Sequence, residues 1–86
     1  MWFTYIIKST NSDFIYIGST NDLRRRFAEH NSGFSQSTKH FIPFELEAYV
    51  AVKSEQQARD LEKYFKTGSG KAILNKRILG KMGSNL

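Results

Sequence analysis

Two short runs of β-branched and aromatic residues, separated only by a polar turn, constrain the fold of this chain most. Residues 2–8 have the sequence WFTYIIK, and residues 14–17 have the sequence FIYI. Residues of these types favour strands, and the polar cluster from Ser9 to Asp13 favours a turn. We therefore predict an antiparallel hairpin at the start of the domain, with Gly18 ending its second strand.

The register of this hairpin decides where two tyrosines lie. If Lys8 pairs with Asp13, Tyr5 lies directly opposite Tyr16, and directly opposed residues share one face of a sheet. The two phenols would then stand side by side on one surface. Taken alone, a pair of amphipathic core tyrosines is the commoner explanation, because tyrosine is often half buried.

A helix is predicted after the hairpin, with Thr20 or Asn21 as its cap and Asp22 in its first turn. It ends at the turn signal of residues 31–33, and residues 34–43 are predicted to form a polar loop. Residues 44–52 alternate between apolar and polar side chains, which predicts a third strand whose buried face carries Phe44, Leu46, Ala48, Val50 and Val52.

The C-terminal part of the chain has clear helix signals. Ser54 and Gln57 form a capping box that starts a second helix, and this helix stops before Gly68. Residues 68–70 are predicted to break the chain before a last short helix over residues 71–79. The 86 residues therefore form a single α+β domain over residues 1–80: a small antiparallel three-stranded sheet flanked by helices, in the order β-β-α-β-α-α. Residues 81–86 are predicted to be a flexible tail.

The composition restricts the classes of function. The 13 Lys and Arg residues outnumber the 8 Asp and Glu residues, and the resulting net charge of +5 favours a polyanionic partner, although a merely soluble basic domain has the same balance. No cysteine is present, which excludes disulfides and thiolate metal sites. A signal peptide and an apolar run of about 20 residues are both lacking, so we expect a cytoplasmic protein without a membrane segment.

The first helix carries two residues that could act together. With Leu23 and Phe27 facing inward, Arg26 and His30 are neighbours on one flank of the helix, because they are one turn apart. Taken alone, the three consecutive arginines at 24–26 are more often a solvated basic face, and His30 is more often a cation at a helix terminus.

The second helix offers one candidate metal ligand. Glu62 lies between Leu61 and Phe65 at the edge of the buried stripe, where a carboxylate could bind Mg²⁺ together with water ligands. In isolation, a surface glutamate paired with a lysine is the commoner reading. The segment from Gly68 to Lys71 is not a phosphate loop, because it follows a helix and lacks the upstream glycine of that motif.

The joint spacing of these residues resembles the GIY-YIG nucleases. The pattern consists of Tyr5, the segment Tyr16-Ile17-Gly18, Arg26, His30 and Glu62. The resemblance covers roughly residues 2–79 and is most specific over residues 16–26. The family includes the N-terminal domain of an excision-repair excinuclease and phage homing endonucleases, and this chain looks most similar to small stand-alone bacterial members.

The resemblance implies a role for each matching tyrosine and for the residues around them. Tyr5 would help to deprotonate the attacking water, and Tyr16 would position the water or the phosphate. Gly18, after Ile17, would let the next backbone approach closely.

It also implies roles for the residues on the helices. Arg26 would stabilise the phosphate, with His30 in a supporting role, and Glu62 would bind a single Mg²⁺ or Mn²⁺ ion. Asn75 would be a late structural or site residue.

The chain also departs from the family pattern. Its first motif is Phe3-Thr4-Tyr5, without the glycine, and Ser19 stands at the position that matches a lysine in the excinuclease domain. Lys8, Lys39 or Lys71 could supply the missing cation. Residues expected to contact nucleic acid are Arg24, Arg25, Lys39 and Lys71.

We expect a metal-dependent endonuclease that acts on DNA, on branched or damaged structures such as those of DNA repair. A non-catalytic nucleic-acid-binding module of the same fold is the alternative. A third reading is a small RNA-binding or interaction domain in which the tyrosines and Glu62 are incidental.

Overall fold

Strand β1 (Trp2–Ser9) is the centre of the molecule, because it pairs with a neighbour along each edge. The computed structural model describes residues 1–80. The antiparallel sheet has the order β2-β1-β3, with β2 at Ile15–Thr20 and β3 at Phe44–Val52. The helices are α1 (Leu23–Asn31), α2 (Glu55–Phe65) and α3 (Gly68–Ile73). A 3-10 turn covers Lys39–Phe41, and a π-helical turn covers Leu74–Ile78.

This architecture confirms the predicted α+β class and the order β-β-α-β-α-α. The predicted tail over residues 81–86 lies outside the described residues. Within residues 1–80, no helix combines the length and the apolar character that a membrane crossing requires.

The hairpin register differs from the predicted one. Lys8 pairs with Ile15 and Tyr5 pairs with Gly18, so the predicted pairings of Lys8 with Asp13 and of Tyr5 with Tyr16 are wrong. The turn is longer than expected, because the Ser9 N–H donates to the Phe14 carbonyl at 2.9 Å and closes the hairpin there. Strand β2 also continues to Thr20, so Gly18 lies inside the strand and does not end it.

Both faces of β1 are buried, which is why the sheet has two cores. On one face, Tyr5 and Ile7 pack with Phe44 and with the apolar side of α1. On the other face, Ile6 packs with Phe65 of α2 and with residues of the chain that follows it. The continuous apolar run of β1 therefore suits a strand that is covered on both sides.

Strand β3 contains a β-bulge that the alternation did not reveal. Ile6 pairs with Ala48 whereas Ile7 pairs with Leu46, so Glu47 is an extra residue. An extra residue reverses which side chains face each side of the sheet. Phe44 is buried, but Leu46 is 38% exposed and Tyr49 is 54% exposed. The prediction of a single buried face across residues 44–52 was therefore wrong.

The helix starts follow side-chain caps. Asp22, rather than Thr20 or Asn21, caps α1, because its carboxylate accepts the Arg25 N–H at 3.1 Å. The capping box of Ser54 and Gln57 at the start of α2 is confirmed.

The glycines at positions 68 and 70 begin α3, so the predicted chain break is wrong. Thr67 caps this helix, because its hydroxyl accepts the Gly70 N–H at 3.0 Å. Gly70 is needed there, since a Cβ at that position would collide with the backbone of Tyr64.

Candidate active site

Gly18 creates the space in which the Tyr5 phenol lies. A Cβ atom at Gly18 would come within 2.5 Å of the Tyr5 hydroxyl oxygen and 2.7 Å of the ring carbon that bears it. Gly18 is the pairing partner of Tyr5 on the edge strand β2. The phenol can therefore lie across the β2 backbone only because this residue has no side chain.

A chain of buried hydrogen bonds extends from this phenol into the loop after α1. The Tyr5 hydroxyl oxygen is 2.8 Å from Nε2 of His30, and Nδ1 of His30 is 2.7 Å from the hydroxyl of Thr38. Tyr5, His30 and Thr38 are all at most 1% exposed. A neutral imidazole carries one N–H, so His30 donates one of these bonds and accepts the other.

Tyr16 completes an aromatic cluster around His30. It pairs with Ile7, two residues along β1 from Tyr5, so the two tyrosines are on the same face at diagonal positions. Their ring centroids are 6.3 Å apart, and the Tyr16 ring is 5.0 Å from the His30 ring. The two phenols share one surface although they are not directly opposed.

Arg26 brings a positive charge to this cluster. Its Nη1 atom donates to Glu29 Oε1 at 3.0 Å, and its side chain is 27% exposed. Glu29 and the Tyr5 phenol raise the pKa of Arg26, although its burial acts in the opposite direction. Arg26 is therefore charged, and it interacts with the buried phenol while its side chain stays partly exposed to solvent.

Burial sets the ionisation of the two central groups. Desolvation, followed by the proximity of Tyr16, raises the pKa of Tyr5 to about 12, although Arg26 opposes this rise. Desolvation, followed by the charge of Arg26, lowers the pKa of His30 to about 4. Both groups are therefore neutral near pH 7, and the phenol is not an ionised base in the protein without bound substrate.

Glu62 approaches the same edge of the sheet from the opposite face. Ser19 follows Gly18 on β2, so its side chain points to the other side, and its hydroxyl donates to Glu62 Oε1 at 2.5 Å. Lys66 Nζ donates to Glu62 Oε2 at 2.9 Å. Burial of Glu62 acts to raise its pKa, but the bonds from Ser19 and Lys66 outweigh burial and lower it.

The site is thus built around β2, the edge strand of the sheet within residues 1–80. The phenol, imidazole and guanidinium lie on the α1 side, and the carboxylate lies on the α2 side. The negative charge of Glu62 acts across the sheet on the Tyr5 phenol, where it disfavours the phenolate and so contributes to raising the pKa of Tyr5.

A metal ion at this site would depend on one carboxylate. Residues 1–80 contain no group of three or more His, Asp or Glu side chains that could surround an ion. An ionised glutamate at the edge of the core nevertheless suits Mg²⁺, which retains several water ligands and needs few protein ligands. Glu62 therefore fits such an ion, with Ser19 and Lys66 beside it.

The other residues singled out in the sequence have different positions. Arg24 and Arg25 are exposed on α1, and Lys39 and Lys71 are exposed on the 3-10 turn and on α3. Asn75 is exposed in the π-helical turn, and no hydrogen bond within residues 1–80 connects its side chain to the site.

Two residues near the site were not identified in the sequence. The cation beside Glu62 is Lys66, and not Lys8, whose ammonium donates to the Ser12 carbonyl. The position of Lys66, four residues after Glu62 on a helix, is a signal that could have found it. Thr38 lies in an irregular loop, and nothing in the sequence marks it as the partner of His30.

Comparison with known proteins agrees with this geometry. Residues 1–77 match the GIY-YIG catalytic domain family. The chain is 38% identical over 66 residues to the UPF0213 protein YsiG of Lactococcus lactis subsp. lactis and 35% identical over 66 residues to a UPF0213 protein of Vibrio campbellii. Each match covers 76% of this chain and 62% of the relative, so the chain spans less than two thirds of the length of these relatives.

A solved structure extends the comparison over nearly the whole chain. The solution NMR structure of a UPF0213 protein from Bacillus halodurans aligns with a TM-score of 0.56 and 28% identity. The alignment covers 96% of this chain and 98% of that protein. From the match to residues 1–77 and from these relatives, we conclude that the chain belongs to the GIY-YIG family.

Proposed function

We propose that the domain is a metal-dependent endonuclease that hydrolyses DNA phosphodiester bonds, with a preference for branched or damaged structures of the kind processed in DNA repair. The observation that carries this proposal is the buried chain from Tyr5 through His30 to Thr38, at a sheet edge that Glu62 reaches from the other face. Membership of the GIY-YIG family and the net charge of +5 support a polyanionic substrate.

In this proposal Tyr5 and His30 take the proton from the attacking water together. The phenol oxygen accepts a proton from water while its own proton moves to Nε2 of His30, 2.8 Å away. Burial and the charge of Arg26 hold the pKa of His30 at about 4, so the transfer requires that the negative phosphate beside Arg26 first offsets this cation and raises the pKa of the imidazole. The water oxygen bonds to phosphorus, and the bond from phosphorus to the leaving oxygen breaks. The leaving oxygen departs with the electron pair of that bond and takes a proton from solvent, and His30 then releases its proton to solvent, so that one water is consumed. The transfer to His30 requires the tautomer in which Nδ1 of His30 donates to Thr38, so that Nε2 accepts.

Arg26 would stabilise the charge on the phosphate. A guanidinium has five N–H donors, and Glu29 accepts only from Nη1 in the structure. The remaining donors suit phosphate oxygens, which arginine binds with two parallel hydrogen bonds. Contact with Glu29 therefore orients Arg26 without using all of its donors.

Glu62 would hold a single Mg²⁺ or Mn²⁺ ion. When bound, such an ion would supply positive charge to the phosphate and to the leaving oxygen. Ser19 and Lys66 already contact both oxygens of Glu62, so metal binding must displace or rearrange the bond from Lys66. The same occupancy of Glu62, together with Ser19 at the lysine position, favours the alternative function of a nucleic-acid-binding module without cleavage.

Cleavage of labelled single-stranded, duplex, flap and junction DNAs separates the two functions. The wild type is compared in Mg²⁺, Mn²⁺ and EDTA with Glu62→Ala and with Glu55→Ala, a matched exposed carboxylate on the same helix. We expect metal-dependent cleavage that is lost in Glu62→Ala and kept in Glu55→Ala, with DNA affinity within a few-fold in all three proteins.

Equal cleavage by Glu62→Ala, purified in parallel with the wild type, would refute the metal assignment. DNA binding that falls with salt, without cleavage of any substrate, would support the binding module instead.

A further inference from the structure

An open groove lies on the other flank of α1 from Arg26 and His30. It has a volume of about 520 Å³ and is bounded by the start of α1, by β1 and by β3. The side chains that matter here are those of Phe3, Asn21, Arg24, Phe27, Leu46 and Tyr49. None of them takes part in the proposed hydrolysis, and the size of the groove is in the range of small-molecule sites.

The bulge in β3 places apolar side chains in this groove. Because Glu47 is the extra residue, Leu46 and Tyr49 both face the α1 side of the sheet, where they are 38% and 54% exposed. The Tyr49 ring packs edge to face against Phe3, with ring centroids 6.0 Å apart and ring planes at 66°, and this contact favours one orientation of the ring. An aromatic ring that is already oriented loses little entropy when a flat ligand stacks on it.

Polar groups at the start of α1 complete the groove. Arg24 carries a positive charge there, and the Asn21 amide has both donors and acceptors. The Asp22 carboxylate also lines the groove, but it accepts the Arg25 N–H as the helix cap. A stacking ring, an amide and a guanidinium are the groups that proteins use to bind an unstacked base and its phosphate.

We propose that this groove binds an unstacked nucleobase of the DNA strand that the domain cleaves. The inference rests on the proposed function, and it narrows the substrate to DNA with unpaired nucleotides near the scissile bond. Tyr49 lies on β3 and the site is built around β2, so the groove and the site are separated by the central strand β1, that is by two strand spacings or about 10 Å, on opposite flanks of α1. A base a few nucleotides along the strand from the scissile phosphate would reach the groove.

The charge of the protein favours this occupant over a second copy of the chain. The net charge of +5 attracts a polyanion and repels an identical basic protein. Arg24 and Arg25, both exposed at the start of α1, can contact the phosphates of a strand that runs from the site to the groove.

Binding of short single-stranded and duplex oligonucleotides tests the inference, with the full chain carrying Glu62→Gln to prevent cleavage. Tyr49→Ala is compared with Tyr64→Ala, an exposed tyrosine on α2 outside the groove, and with Tyr49→Phe, which keeps the ring. Loss of one base stack weakens binding by about 5-fold or more. We expect Tyr49→Ala alone to show this loss, and to show it for single strands and not for duplexes. The salt dependence of its binding should be unchanged, because no phosphate contact is removed.

Fluorescence of 2-aminopurine in the single strand provides a second readout. Stacking of the 2-aminopurine base on Tyr49 should quench its fluorescence, and the Tyr49→Ala protein should not produce this quenching. Equal single-strand affinity of the Tyr49→Ala and Tyr64→Ala proteins would overturn the inference. A dimer that Tyr49→Ala dissociates would overturn it too, because the groove would then be an interface between copies.

The failure of the inference can be distinguished from the failure of the proposed function. If the wild type cleaves DNA in a metal-dependent way but its DNA binding does not depend on Tyr49, only the proposed base-binding groove is refuted. If DNA binding depends on Tyr49 but the wild type cleaves no DNA, only the proposed nuclease activity is refuted.

Discussion

The Tyr5 hydroxyl oxygen lies 2.8 Å from Nε2 of His30, although 25 residues separate the two in the chain. Both side chains are buried, and a buried polar group without a partner is costly, so this bond contributes to stability as well as to the proposed chemistry. Thr38 satisfies the second imidazole nitrogen in the same way. Mutations along this chain of hydrogen bonds should therefore affect folding and cleavage together.

Thr38→Val should disturb the tautomer of His30 while keeping the shape of the side chain. With no hydroxyl beside it, Nδ1 is left without its partner, which costs about 1–3 kcal/mol of stability. We expect cleavage to fall by about 10-fold or more, since Nε2 no longer has a fixed role as acceptor. The measurements are the ¹⁵N shifts of the imidazole, which report the tautomer, and the cleavage rate.

Thr38→Ser keeps the hydroxyl and is the control, with near wild-type shifts and rate expected. Unchanged ¹⁵N shifts in Thr38→Val would show that Thr38 does not set the tautomer.

Tyr5→Phe should reduce cleavage by about 100-fold or more, because it removes the group that receives the proton from water. It also leaves Nε2 of His30 without a partner, which costs about 1–3 kcal/mol of stability. The wild-type rate should fall on the acid side as His30 becomes protonated near pH 4, because the relay needs a neutral imidazole, and the variant, measured under conditions in which it is folded, should lose this acid limb. Tyr64→Phe, which removes a hydroxyl from an exposed tyrosine on α2 outside the site, is the control. A variant that retains the wild-type rate or the wild-type acid limb would exclude Tyr5 from this role.

Gly18→Ala should destabilise the domain by about 1–3 kcal/mol through crowding against Tyr5. The added Cβ would lie 2.5 Å from the Tyr5 oxygen and 3.0 Å from Cε2 of Tyr16, so both rings must move. Urea denaturation measures the loss. Gly68→Ala is the matched control, since its Cβ meets no atom within 4 Å, and we expect little change. Equal urea concentrations at the midpoint of unfolding for the two variants would contradict the close packing at Gly18.

Stability should fall as the pH is lowered from about 6.5 towards 4. Burial and Arg26 lower the pKa of His30 from 6.5 to about 4, so between these values the unfolded chain binds more protons than the folded chain. Stability therefore increases with pH across this window, by at most about 1.4 kcal/mol per pH unit for one proton. Free energies of unfolding at several pH values measure the slope, and an NMR titration of His40→Asn, which leaves His30 as the one histidine, measures the pKa. An imidazole that titrates near 6.5 would contradict this expectation.

Much of the architecture followed from local chemistry in the sequence. The β-branched and aromatic run of β1 and the capping box of α2 are short-range signals, and each predicted its element correctly. The spacing of Tyr5, Tyr16, Arg26 and Glu62 was enough to suggest the family. These signals depend on neighbours in the chain, so they can be interpreted without knowing the fold.

Other features depended on contacts between distant residues. The polar turn allowed more than one hairpin register, and the hydrogen bond from Ser9 to Phe14 selected one of them. The bulge at Glu47 reversed the faces of β3, although the alternation itself was regular. The glycines of α3 looked like a break, but the space beside Tyr64 requires one of them.

The sequence by itself thus determined the elements, their order and the residue types at the candidate site. Only the tertiary structure decided that the Tyr5 phenol crosses Gly18 to reach His30, that Thr38 holds the imidazole, and that Glu62 meets the same edge from the opposite face. The physical reason is that local propensities act over a few residues, whereas hydrogen bonds among buried groups are selected by the packing of the whole domain.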